Sequence, residues 1–159
     1  MTDYPELNLP SFNIRLKEEQ NEVRVFDPLR EKWILLTPEE WVRQHFINWL
    51  KTEFHYPLSL MANEVKINLN DTVKRCDTVI FRRDGSPFII VEYKAPNVAV
   101  TQNVFDQIAR YNMQLHADYL IVSNGLNHYC CKLDYANNTY HFIPHIPDYG
   151  TIAAGASEN

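Results

Sequence analysis

The sequence predicts an α/β domain in which helices pack on a mixed central sheet. Three observations carry this. β-prone runs and helical stretches alternate between residues 23 and 133. The run FIIVEYKA, residues 88–95, is apolar almost without interruption, as in a central strand covered on both faces. Asp84-Gly85 between two strand-like runs marks a hairpin. The expected order is β-β-α-β-β-β-α-β-β.

Residues 1–22, with Pro5 and Pro10, read as an N-terminal arm. Short strands follow at 23–26 and 33–36, separated by the turn dipeptide Asp27-Pro28. Thr37 is placed to cap a helix, with Pro38 at its first position. Glu39 and Glu40 in the first turn suit the positive end of the helix dipole. Apolar residues at 42, 46, 49 and 50 follow the helical period. The helix should end near Phe54, before Pro57. Residues 64–69 read as a strand closed by Asn70-Asp71, and 74–82 and 87–94 as the two arms of the Asp84-Gly85 hairpin. A second helix runs from about Thr101 to His116, with Val104, Phe105, Ile108, Met113 and Leu115 on its buried side. Strands at 118–123 and 127–133 flank Asn124-Gly125. Residues 23–149 thus form one domain, and 150–159 are expected to be a mobile tail.

With 159 residues, 45% of them apolar and 22% charged, the chain can bury the core of a single domain. No apolar run approaches the ~20 residues of a membrane span. The polar first ten residues, with Asp3 and Glu6, do not resemble a signal peptide, so a cytoplasmic location is expected. A net charge of −5 argues against a nucleic-acid coat protein. It leaves room for local contact with DNA, because a divalent-cation site brings its own carboxylates. Cys76, Cys130 and Cys131 have no metal-ligand spacing and read as reduced, buried thiols. Histidines 45, 55, 116, 128, 141 and 145 show no HExxH spacing and read as packing or surface residues. Four glycines, with no Walker loop, cannot build a Gly-rich phosphate cradle, so this chain alone is not an ATP-driven motor.

The chemistry concentrates in Asp77, Glu92 and Lys94. A two-residue or a four-residue hairpin loop gives facing pairs whose residue numbers sum to 169. Both registers set Asp77 opposite Glu92, with Cβ atoms about 4.5–5.5 Å apart. A three-residue loop would break that facing. Lys94, two residues beyond Glu92, shares its face. Close carboxylates repel unless a cation lies between them, and hard oxygen ligands suit Mg²⁺ or Mn²⁺. The lysine could orient or help deprotonate a water, or stabilise a phosphate oxyanion. Equally, Lys94 could only neutralise the two acids in an edge salt bridge. Glu64, at a strand start, is either a third carboxylate or a solvated residue. Gln107 and Tyr111 share one face of the second helix and can bond phosphate or a base edge, although a tyrosine at such spacing is commonly core. Lys74, Arg75, Arg82, Arg83 and Arg110 should form a basic rim if DNA enters here.

Taken together, these segments resemble a known family. RxDxVIFxxDGxPFIIVEYKAP followed by QxxxY is similar to the PD-(D/E)xK nuclease superfamily. LNLPSF, LTPEEWVRQHF, KRCD, VEYKAP, FDQIARYN and IVSNG resemble the N-terminal domain of type I restriction enzyme R subunits, and more closely its short stand-alone forms. The resemblance covers roughly residues 7–149. It implies a restriction-endonuclease-like αβββαβ core with an N-terminal β extension. It also implies phosphodiester hydrolysis with Mg²⁺ or Mn²⁺, catalysed by Asp77, Glu92 and Lys94, with Glu64, Asp77 and Glu92 as metal ligands. Gln107 and Tyr111 match the family's QxxxY element, and with Arg75 and Arg110 they are the candidate nucleic-acid contacts. Cys76 stands where the superfamily often has proline. DNA is the implied partner, with a separate motor or restriction-system subunit, because an R subunit joins this domain to a helicase. The expected function is a metal-dependent DNA endonuclease of a restriction or phage-defence system. The alternative is a non-catalytic module that binds nucleic acid or protein on the same scaffold.

Overall fold

The computed structural model describes residues 4–157, with side chains to residue 153. The first three residues of the expected arm and the last two of the expected tail lie outside the described residues. The chain runs β1 (Leu16–Glu19), β2 (Glu22–Asp27), β3 (Lys32–Leu35), α1 (Pro38–Glu53), a 3-10 turn (Leu58–Leu60), β4 (Met61–Leu69), β5 (Thr72–Phe81), β6 (Pro87–Tyr93), α2 (Gln102–Met113), β7 (Tyr119–Ser123), β8 (His128–Asp134), β9 (Thr139–Ile143) and α3 (Tyr149–Ser157). Strands β1 to β3 form a small antiparallel sheet. The main sheet has six strands in the order β4-β5-β6-β7-β8-β9. Only β6 and β7 are parallel, as the crossover through α2 requires. The fold is therefore α/β, a restriction-endonuclease-like αβββαβ core with a mixed sheet flanked by helices and an N-terminal β extension.

Two apolar layers sandwich the main sheet. On one side, Val42, Phe46, Ile47 and Leu50 of α1 pack on Ile80, Ile89, Val91, Tyr93 and Ile121. On the other, Phe105 and Ala109 of α2 pack on Val79, Ile90, Leu120, Val122 and Cys131. Alternate residues of β6 and β7 supply the two layers, which is why 88–95 reads as continuously apolar. Thr37 and Thr101 cap the helices, each hydroxyl accepting the backbone N–H three residues on, at 3.1 and 3.2 Å. The three cysteines are free and buried. No helix among the described residues is long and apolar enough to cross a membrane.

The termini depart from expectation. The arm supplies β1, and its earlier residues dock on the domain. Leu7 and Leu9 pack against the α1-side core, and the Asn8 N–H donates to the Gly125 carbonyl at 2.8 Å. Gly125 has φ +86°, and a Cβ there would stand 2.7 Å from the Leu7 side chain, so this turn needs glycine twice over. An edge strand, β9, follows the 127–133 strand. The expected tail is helical over Tyr149–Ser157. The Tyr149 N–H donates to the Phe54 carbonyl at 2.8 Å, and Ile152 packs on the core.

Candidate active site

The β5–β6 hairpin closes with a three-residue loop, 83–85. The Arg82 N–H donates to the Ser86 carbonyl at 2.8 Å, and the Gly85 N–H to the Arg82 carbonyl at 2.9 Å. Gly85, with φ +91°, takes the left-handed position that this loop demands. By itself this loop would move Asp77 out of register with Glu92. A bulge between Ile80 and Phe81 adds one residue on β6 and restores the register, so that Thr78 faces Val91 and Ile80 faces Ile89. The ladder pairs run as far as Thr78 and Val91, and just beyond them Asp77 and Glu92 interact through their side chains.

A further irregularity shapes the site. In the β4–β5 ladder, Asn63 faces Thr78 and Val65 faces Cys76, while Glu64 and Asp77 between them form no regular pair. Glu64 has φ +55°, a left-handed backbone for a non-glycine residue. Both strands change face at this point. Met61 and Ile80 belong to the α1-side core, whereas Val65, Ile67 and Cys76 belong to the α2-side core. Asp77 thus sits on a pivot. Its side chain meets Glu92, and it also lines an open cleft of about 340 Å³ on the α1 side with Leu35, Glu40, Arg43, Glu64 and Tyr93.

The pivot is held by a buried polar network that the sequence reading did not single out. The Tyr93 N–H donates to Asp77 Oδ2 at 2.9 Å, fixing one carboxylate oxygen. Arg43, only 5% exposed, donates through Nη1 to the Asp77 carbonyl at 2.8 Å. It also donates through Nη2 to Glu40 at 2.7 Å and to Glu64 at 2.8 Å. Glu40 additionally accepts from Arg30 and Gln44, and Arg30 bonds Asp27. From Asp27 the chain continues back to the site: Asn63 donates to Asp27 at 3.0 Å, Thr78 to Asn63 at 2.6 Å, and Tyr93 to Thr78 at 3.0 Å. Burial opposes the Arg43 charge, but Glu40 and then Glu64 outweigh it and raise its pKa. Burial likewise opposes the charge on Glu40, and the bonds from Arg43 and Gln44 nevertheless lower its pKa. The available signal was positional: polar residues 40, 43 and 44 continue the stripe on which 47 and 50 are apolar.

Glu92 is the most perturbed carboxyl near the site. Burial, followed by the Asp77 carboxylate beside it and a smaller contribution from Glu64, pushes its pKa up to about 9 against the attraction of Lys94. Cys76 is pushed up to about 12 by burial and by these two acids. The expected three-carboxylate metal set is not assembled. Among the described residues no group of three or more His, Cys, Asp or Glu side chains is placed to hold a metal ion. The reason is Arg43, which draws Glu64 to itself, with Arg75 on the other Glu64 oxygen at 3.7 Å. Asp77 and Glu92 remain as a crowded pair. Mg²⁺ binds through one or two carboxylates plus water and substrate oxygens, so the donor set fits such an ion.

The nucleic-acid candidates divide. The Tyr111 hydroxyl accepts the Arg75 N–H at 3.3 Å, and the Lys74 ammonium lies 4.0 Å from the ring centre. Tyr111 therefore braces β5 from the α2 side and is not core. Gln107 is exposed and, like Tyr111, Glu92 and Lys94, is absent from the walls of the α1-side cleft; Glu92, paired with Val122 of the α2-side core, faces the α2 side of the sheet. Arg110 is tied to Asp106 at 2.9 Å. The continuous basic rim does not form. Arg82 and Arg83 belong to the opposite end of the hairpin, where Arg82 pairs with Asp118. Lys74 and Arg75 precede Asp77 on β5 but project to opposite faces of the sheet.

Comparison with known proteins follows the same lines. A family model described as the type I restriction enzyme R protein N terminus matches residues 38–147. A fragment structure of a candidate HsdR subunit of a type I restriction enzyme from Vibrio vulnificus YJ016 superposes with a TM-score of 0.50 at 20% identity. The alignment covers 77% of this chain and 26% of that one, so the chain spans about a quarter of that structure's length. At this identity the likeness is one of fold. No curated protein matches the sequence.

Proposed function

The chain belongs to the family of type I restriction enzyme R protein N termini, and from that premise we propose that it is a metal-dependent PD-(D/E)xK deoxyribonuclease module of a restriction or phage-defence system. The observation that carries this reading is the half-buried Glu92 carboxyl set against Asp77, with Lys94 close enough to offset part of its perturbation. Such a cluster opposes folding unless it serves a ligand. Asp77 and Glu92 would hold Mg²⁺ or Mn²⁺, which when bound supplies positive charge at the scissile phosphate and acidifies water. The protein's own groups do the positioning. The Tyr93 N–H fixes one Asp77 oxygen and Arg43 fixes the Asp77 backbone. Lys94 would orient the attacking water or hydrogen-bond a phosphate oxygen. The partners are DNA and a separate motor or restriction subunit, in the cytoplasm.

A nuclease assay with linear, supercoiled and single-stranded DNA in Mn²⁺ tests this. Wild type should cut, and Lys94→Ala should lose about 100-fold or more, as for other transition-state donors. Equal cutting by both proteins would rule out the role of Lys94. The withdrawal of Glu64 into the Arg43 network favours a second reading, a module that binds DNA without cleaving it. Metal-independent DNA binding with no cleavage of any substrate would support that second reading.

A further inference from the structure

The α2 face of the sheet carries an aromatic pocket that the core does not need. Glu92 pairs with Val122 of β7, and Val122 pairs with Tyr129 of β8. Directly paired residues share a face, so Tyr129 stands in line with Glu92 two strands away, about 9–10 Å at the usual strand spacing. Phe142 of β9 faces Cys131, which belongs to the α2-side core, so its ring lies on that face too. Phe105 of α2, only 2% exposed, forms the floor. Its ring centre lies 6.4 Å from that of Tyr129 and 4.8 Å from that of Phe142. The two outer rings stay open, Tyr129 at 36% and Phe142 at 49% exposure. They line a cavity of about 200 Å³ that Val100, Thr101 and Gln102 complete at the start of α2. The Gln102 amide is anchored, with Nε2 donating to the Tyr140 hydroxyl at 2.9 Å, which leaves Oε1 as an acceptor.

We propose that this pocket takes one unpaired base of the substrate strand, stacked against Tyr129 and Phe142, a nucleotide or two from the phosphate at Asp77 and Glu92. The inference rests on the nuclease reading and adds the form of the substrate, a strand that is unpaired beside the cut. The pocket shares a rung of the sheet with Glu92, so a strand laid along that rung from the carboxylates reaches it. Aromatic side chains bind bases of any sequence by stacking on their faces. A base also offers a hydrogen-bonding edge to Gln102, which an aliphatic ligand does not. A base inside a duplex is already stacked and paired, and it enters such a pocket only by leaving the helix.

The test is binding of the full chain, in Ca²⁺, to single-stranded DNA and to a blunt duplex of the same sequence. The proteins are wild type, Tyr129→Ala, Phe142→Ala and the ring-keeping variants Tyr129→Phe and Phe142→Tyr. Each alanine should weaken single-strand binding about 5- to 150-fold, the equivalent of one lost base–aromatic stack. Duplex binding should be unchanged, because paired bases do not enter. The ring-keeping variants should bind like wild type. The salt dependence should keep its slope in all four, because no phosphate contact is lost. Single-strand affinity that survives in both alanine variants overturns the pocket and leaves the nuclease reading intact. So does an equal loss on duplex, or a loss as large in Phe142→Tyr as in Phe142→Ala, which marks a structural defect in place of stacking. Cleavage in Mn²⁺ that persists in Asp77→Asn, with the binding losses as expected, overturns the nuclease reading alone. Absence of DNA binding by wild type overturns both.

Discussion

Glu92 concentrates the electrostatics of this protein in one side chain. An isolated glutamate ionises near 4.5, whereas here burial and the neighbouring Asp77 carry the pKa to about 9. The folded chain therefore keeps a proton that the unfolded chain releases across that interval. Stability from this group is complete below about 4.5 and is lost as pH rises toward 9. Thermal melts of metal-free protein between pH 5 and 9 should show this decline, and Glu92→Gln should flatten it. Mn²⁺, which favours the ionised pair, should stabilise wild type more as pH rises. A slope unchanged in Glu92→Gln would contradict the assignment. Asp77→Ala and Glu92→Ala should each fold, match or exceed the metal-free stability of wild type, and lose Mn²⁺ binding in calorimetry, since removing one acid relieves the other.

At the scale of elements, α1 does more than cover the sheet. Its first turns insert Arg43 where β4 and β5 part, and Glu40, Arg30 and Asp27 close the charge network behind it. Removing one member of a buried ion pair costs about 3–5 kcal/mol because its partners stay charged and unpaired. Arg43→Met should therefore lower the unfolding free energy from denaturant titration by that order. Arg24→Ala, which loses only the exposed pair with Glu22, should stay within about 1 kcal/mol. Glu40 also makes an acid-side prediction. Its pKa is held below 4.5 by Arg43 and Gln44 despite burial. Its contribution is present above 4.5 and disappears as pH falls through its lowered value. Glu40→Gln should be less stable at pH 7, and its deficit should narrow on acidification. A deficit that widened would contradict this account.

The whole molecule places its candidate groups on two sides of one sheet. The cleft with Asp77 opens on the α1 side, while Tyr111 and Lys74 meet on the α2 side. Tyr111 is 40% exposed, so its truncation should not carry the large cost of a core aromatic. Tyr111→Ala should cost about 1 kcal/mol, the scale of an exposed cation–π contact. Tyr111→Phe keeps the ring over Lys74 and should melt like wild type. If Tyr111 touches DNA, Tyr111→Ala loses cleavage with a nearly unchanged melt. Cleavage retained with a large drop in melting temperature would leave it a purely structural brace.

Much of this was readable without coordinates, because local rules wrote it. Thr37-Pro38 and Thr101 start helices by hydrogen bonds within three residues, and the almost continuously apolar run of residues 88–95 reads as a central strand covered on both faces. The sequence by itself determined the order of the core elements, the family, and the residue types that crowd at Asp77, Glu92 and Lys94. Tertiary structure decided the rest. It set a three-residue loop against a compensating bulge, a pairing that no local signal announces. It gave Glu64 a left-handed backbone and turned both strands over at the pivot. It paired Glu64 with Arg43, because a buried guanidinium must find carboxylates wherever the fold brings them. Local patterns fix what each segment becomes, since backbone hydrogen bonds and side-chain alternation act over a few residues. Which charges meet depends on elements more than twenty residues apart, such as Arg43 and Glu64, and only packing of the whole chain brings those together.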